Sequence, residues 1–218
     1  MYRSPRALAK LTTAALVLNL AALAVVGALL WDSLGIAQAL AAGDDVADAS
    51  FEMLERRGQE FGLVSFAVLV AGALTFCMWT YRVARNALAL GGRLTSSPGW
   101  AVAYYFVPIV NWWMPYAALT QVWDASHPDP RAALSTCGAH ALLLSWWVAW
   151  LITGAVDLVA FGREVPVDAQ AWANQIQLGL GALVVEAIAA ALAIAVVWRL
   201  THRQEARAAA ALPTARVA

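Results

Sequence analysis

Residues 94–123 read LTSSPGWAVAYYFVPIVNWWMPYAALTQVW, thirty positions without one charged side chain. Hydropathy alone makes this stretch a membrane-crossing helix. The residues within it argue against a single helix. Pro108, Asn111 and Pro115 interrupt the run, and each proline removes a helix donor and clashes with the preceding turn. Broken backbone at membrane depth persists only where protein or water covers its amides. Segment 97–123 is therefore predicted to be a proline-broken helical hairpin, either re-entrant or interfacial. Trp100, Tyr104, Tyr105, Trp112, Trp113 and Tyr116 give it rings that favour the headgroup layer.

The charges on either side give the same answer. Four runs have the length of a span: 11–31, 61–81, 132–156 and 175–198. At about 1.5 Å per residue each covers the roughly 30 Å hydrocarbon core. Arg3, Arg6 and Lys10 precede the first run, Arg82, Arg85 and Arg93 follow the second, and Arg199, Arg203 and Arg207 follow the last. Only an even number of crossings leaves all three basic groups on one side, and that side is the cytoplasm. Residues 32–60 hold seven acids against Arg56 and Arg57 and are assigned to an acidic outer loop. Within it, Asp44 or Asp45 is expected to cap a short helix carrying Val46, Phe51 and Leu54. Phe161 to Asn174, with Arg163, Glu164 and Asp168, forms the second outer loop, and 199–218 is a cytoplasmic tail. Trp31, Trp79, Trp172 and Trp198 fall at the ends of these runs, where an indole anchors at the interface.

Composition agrees. The 218 residues are 62% hydrophobic and only 13% charged, more apolar than a water-soluble domain of this size can bury. Ala39-Leu40-Ala41 resembles a signal-peptide cleavage site, but the preceding apolar run exceeds the 7 to 15 residues, roughly, of a signal core. Fourteen basic residues balance fourteen acidic ones, which gives no footing for nucleic-acid binding. Cys77 and Cys137 lack paired spacing and read as small apolar fillers. The fold expected is an all-α integral membrane protein, one domain of four transmembrane helices with the hairpin between the second and third spans.

The central residues also carry a resemblance. Trp79-Thr80-Tyr81-Arg82, Arg85-Asn86, Gly91, Ser97-Pro98-Gly99-Trp100-Ala101-Val102, Phe106-Val107-Pro108-Ile109, Asn111, Pro115-Tyr116 and Trp123 with Ala125-Ser126 are similar to the bacterial membrane proteins grouped as domain of unknown function 4328. Trp146-Trp147 and Trp150 extend the likeness. The resemblance implies a four-helix protein of the bacterial plasma membrane with this central motif, and it brings no activity with it.

Few residues offer chemistry. Glu186 lies thirteen residues before Arg199, about 20 Å along a helix, where an acidic side chain costs about 2.5 to 3.5 kcal/mol and needs a partner or a proton. His140 and Asn19 are each nine residues from a basic residue, Arg131 and Lys10, or about 14 Å deep. Glu186, His140 and Asn19 are thus a candidate intramembrane polar cluster, serving a proton or a substrate, or simply fixing helix register. Arg82, Arg85 and Arg93 fall short of the four to eight basic residues, roughly, that mark a lipid-headgroup site. His127 and His202 stand apart, and Ser126-His127-Pro128-Asp129-Pro130 reads as a stiff turn. No catalytic or metal-ligand pattern is present; neither cofactor nor enzymatic activity is expected. The leading expectation is a non-enzymatic scaffold, sensor or accessory subunit in the lipid bilayer, acting through helix contacts with a membrane partner or as a homo-oligomer. The alternative is a small oligomeric transporter or channel that uses the broken segment and Glu186.

Overall fold

The structure, a computed structural model, describes residues 1–128, 140–162 and 166–211. Among these every regular element is helical: α1 (Arg6–Ala42), α2 (Asp48–Ala89), α3 (Pro98–Ala103), a 3₁₀ turn (Val110–Trp112), α4 (Met114–Ala125), α5 (Ala141–Phe161) and α6 (Ala169–Ala211). Four of them, α1, α2, α5 and α6, are long and apolar enough to cross a membrane.

Three of these four greatly outrun the apolar stretches that announced them. The outer loop expected at 32–60 is mostly helix, because Leu34 and Ala37 of α1 bury against Ala173 and Ile176 of α6 and Phe51 stacks on Trp172 at 6.4 Å. An apolar stripe continues past the point where the average hydropathy falls. Gly43 then ends α1 in the left-handed region (φ 87°), with its N–H bonded to Leu40 O and that of Asp44 to Ala39 O. Asp44 therefore closes one helix and does not cap the next. Helix α2 starts at Asp48 after Ala47, without a side-chain cap, and Val46 lies outside it. The second outer loop shrinks likewise, as Asp168 Oδ1 accepts from Ala171 N at 2.7 Å and starts α6 early. The expected tail at 199–218 is helical to Ala211. The run placed at 132–156 is helix over Ala141–Phe161, since apolar residues continue beyond Asp157. Arg131, residues 132–139 with Cys137, and Arg163 and Glu164 lie outside the described residues.

The long helices form an open arc in the order α2, α1, α6, α5. Neighbours in that order pack along their lengths, while α2 and α5, at the ends, meet chiefly through the rings of Phe76 and Trp146. Segment 97–123 enters that gap as two short helices. Ser97 Oγ accepts from Trp100 N and Pro98 takes the first helical position of α3; Pro115 occupies the start of α4, where a missing N–H costs nothing. Pro108 lies between them. At Ile109 the chain takes φ 69°, ψ −53°, with Val110 N bonded to Pro108 O at 2.7 Å, the strained hand of the γ-turn for a β-branched residue. The pair packs α3 and α4 on α2 and α4 on α5. The main core therefore gathers around it: Trp79 and Val83 of α2, Leu119 and Val122 of α4, Leu143 of α5, Val197 and Leu200 of α6.

Helix α2 ends where α4 comes closest. Gly91 adopts φ 80°, and Gly92 N returns to Ala87 O. A Cβ on Gly92 would stand 2.6 Å from Ala125 Cβ and 2.8 Å from Ala87 O. Gly92→Ala is expected to cost about 1–3 kcal/mol of stability through overpacking. Gly62→Ala, inside α2 with open space around it, should instead gain up to about 1 kcal/mol. Thermal unfolding of the two variants in the same detergent checks the contrast; equal melting temperatures would refute the close approach.

Candidate functional site

The polar residues form two sites at different heights, and only one was expected. The first surrounds Gln204, fully buried on α6. Its amide donates to Val83 O at 2.7 Å and to Ser126 Oγ at 3.1 Å, and accepts from Asn86 Nδ2 at 3.1 Å. Asn86 in turn holds the N-terminal segment by its backbone: Arg3 N donates to Asn86 Oδ1 at 3.1 Å and Asn86 Nδ2 donates to Arg3 O at 2.8 Å. Ser126 Oγ donates to Val122 O at 2.6 Å. Both N–H donors of each amide are used and each amide oxygen accepts one bond, so neither side chain leaves a donor unpaired.

Further contacts tighten the same end of the bundle. Trp79 Nε1 donates to Thr201 Oγ1 at 3.1 Å. Arg203 lies over the Trp123 ring, 4.7 Å from its centroid, within range of a cation–π attraction. Arg207 donates to Leu90 O at 2.9 Å and His127 O at 3.0 Å. The Arg6 guanidinium is 2.7 Å from the Glu205 carboxylate, and burial, followed by that carboxylate, holds the nearby Tyr2 phenol above its ordinary pKa. His202 stacks on Trp198.

The motif residues are largely consumed here. Trp79, expected as an interface anchor, is fully buried mid-helix, because α2 runs on to Ala89 and α6 covers it. Asn86 and Trp123 join the network and its margin. Arg85 sits 5.9 Å above the Tyr81 ring, Arg82 is half-buried and Arg93 exposed. Pro98, Gly99, Pro108 and Pro115 shape the two short helices, and Trp147 Nε1 donates to Trp112 O at 3.2 Å beside Asn111. Trp100 remains exposed against Tyr104.

The second site is a cavity of about 360 Å³ in the part of the gap that α3 and α4 leave unfilled. Asn19 and Glu186 both line it, with Asp157 and Thr153 of α5. The Asn19 amide and the Asp157 carboxyl are the polar groups that act on Glu186. Phe76, Tyr105, Trp146 and Trp150 form its aromatic wall, and Cys77, half-buried, lies on the same lining. His140 is not part of it. That residue precedes α5 and places its Nε2 2.7 Å from Asp124 Oδ1; its helix starts there, so it stays at the basic end and does not reach the depth of Glu186. Asp157 takes its place. No group of three or more His, Cys, Asp or Glu side chains is arranged for a metal among the described residues.

Two features had a legible signal that sequence reasoning passed over. Ala193, Val197, Leu200 and Gln204 follow steps of four, three and four, so Gln204 occupies a core position of the α6 stripe. Asp157 lies sixteen residues into α5, about 24 Å up and near the height of Glu186.

A family model described as Domain of unknown function (DUF4328) matches residues 42–202, from the end of α1 to near the end of α6. No curated protein and no solved structure matches the chain.

Replacing Gln204 with Leu leaves one Asn86 N–H unpaired and takes a bond each from Val83 O and Ser126 Oγ, at about 1–3 kcal/mol for the buried group left unpaired. Asn86→Ala and Gln204→Ala are expected to be non-additive by about 0.5–3 kcal/mol. Denaturant unfolding of the single and double variants in micelles measures this coupling, and strict additivity would dismiss a shared network.

Proposed function

We propose that this chain, which belongs to the DUF4328 family, is a four-span protein of the bacterial plasma membrane that works without catalysis, as a scaffold, sensor or accessory subunit acting through helix contacts. One observation carries the reading. In the most apolar eighteen-residue windows of α1 and α2 only 6% of the residues are buried, leaving Leu63, Phe66 and Leu74 of α2 and Val17 and Leu18 of α1 on the outside. So much apolar surface calls for lipid or for other helices. With no water to drive them together, helices associate there by packing and interhelical hydrogen bonds, which suits a homo-oligomer or a membrane partner.

The direction of the helices supports an even number of crossings. Arg3, Asn86 and Gln204 meet at one end, and the Asp124–His140 contact brings the start of α5 close to the end of α4. On this reading that end faces the cytoplasm by its arginines, and α3 and α4 form a re-entrant hairpin sheltered between α2 and α5.

A second reading, a small oligomeric transporter or channel, is favoured by the cavity. It holds two carboxyl groups beside interrupted backbone, an arrangement common at translocation sites.

A reporter active only in the cytoplasm, fused after residue 217, should be active in intact cells; activity only from an exterior reporter would overturn the topology. Reconstituted wild-type protein should carry no cation or proton flux above that of empty liposomes. Flux abolished by Glu186→Gln would replace the scaffold reading with the transporter.

A further inference from the structure

We infer that the cavity between α2, α5 and α6 is a binding site for an organic cation with an apolar body, an ammonium group of the alkylated or aryl-substituted kind. The inference rests on the reading of α1, α2, α5 and α6 as membrane spans and adds a ligand class to it.

The wall and the charges point to the same chemistry. Phe76 packs against Tyr105 edge-on at 6.1 Å and against Trp146 at 5.5 Å, and Tyr105 meets Trp150 edge-on at 6.4 Å. All four rings line the cavity, which gives it an aromatic wall drawn from α2, the loop after α3, and α5. Alkylated ammonium groups are held against such rings by cation–π attraction.

Glu186 and Asp157 supply the counter-charge from α6 and α5. A monovalent cation requires only one of them ionised, and the Asn19 amide remains as a neutral neighbour of Glu186. The lining is unsuited to a hard inorganic ion. Calcium takes six to eight oxygens, roughly, and magnesium an octahedral set, whereas most of this lining is aromatic, aliphatic or alanine. An apolar ligand body has its own place: Ala189, Ala190 and Ala193 leave room along α6, and Leu69 and Phe106 stand at the exposed rim. On the membrane reading that rim opens sideways towards lipid, from which an amphiphilic cation would enter. The volume, about 360 Å³, falls in the range of small-molecule sites, roughly 300–1,000 Å³.

The test uses the full chain in phosphatidylcholine nanodiscs and radiolabelled benzyltrimethylammonium, with empty nanodiscs to subtract partition into lipid. Saturable binding is expected, and neopentylbenzene, which carries carbon in place of nitrogen, should compete at least about tenfold less well. Glu186→Gln combined with Asp157→Asn should weaken binding about tenfold or more. Trp150→Leu should weaken it several-fold, roughly, while Trp150→Phe retains it. Absence of saturable binding, equal competition by the neutral isostere, or unchanged affinity in a folded double variant would each overturn the assignment. Should the double variant fail to fold, the isostere comparison and the Trp150 pair still decide it. Failure of the membrane reading is seen separately, as a chain that stays monodisperse in water without detergent.

Discussion

Gln204 is enclosed at the point where α6 crosses α2, and its amide has two donors and one acceptor position to satisfy without solvent. The arrangement that does so sets the register of α6 against Val83, Ser126 and Asn86. Because Asn86 then spends its remaining capacity on the backbone of Arg3, the same constraint fixes where the N-terminal segment enters. One buried amide thus ties together the start of α1, the end of α2, the end of α4 and the end of α6. A slip of one residue would strand several polar groups at about 1–3 kcal/mol each, a large share of any domain's stability.

That tie explains why four helices need not close into a symmetric bundle. With their ends pinned, α2 and α5 stay apart, and the gap is taken by α3 and α4 for part of its length. Pro108 and the strained turn at Ile109 separate α3 from α4. Beyond the reach of this insert the gap persists as the cavity holding Glu186, Asp157 and Asn19.

Much of this was legible from local pattern. The uncharged runs located the four long helices. Asn19 and Glu186 were paired by depth alone. Other features escaped for physical reasons. Averaged hydropathy cannot follow a helix past its apolar portion, so the extensions carrying Leu34, Ala37, Thr201 and Gln204 were read as loop or tail. His140 was assigned a depth from its distance to Arg131, but its helix begins immediately after it, and it pairs with Asp124 instead. Trp79 was placed at an interface because its run ended there, whereas α6 covers it in the core.

By itself the sequence determined helical class, the number of long apolar helices and the family, because each depends on spacing and composition along one chain. Which polar residues meet was decided only in the tertiary structure. Partners such as Asn86 and Gln204 are separated by more than a hundred residues, and their contact depends on the rotation and register of helices about their axes. Those angles are set by packing between elements, which no local stretch of residues contains.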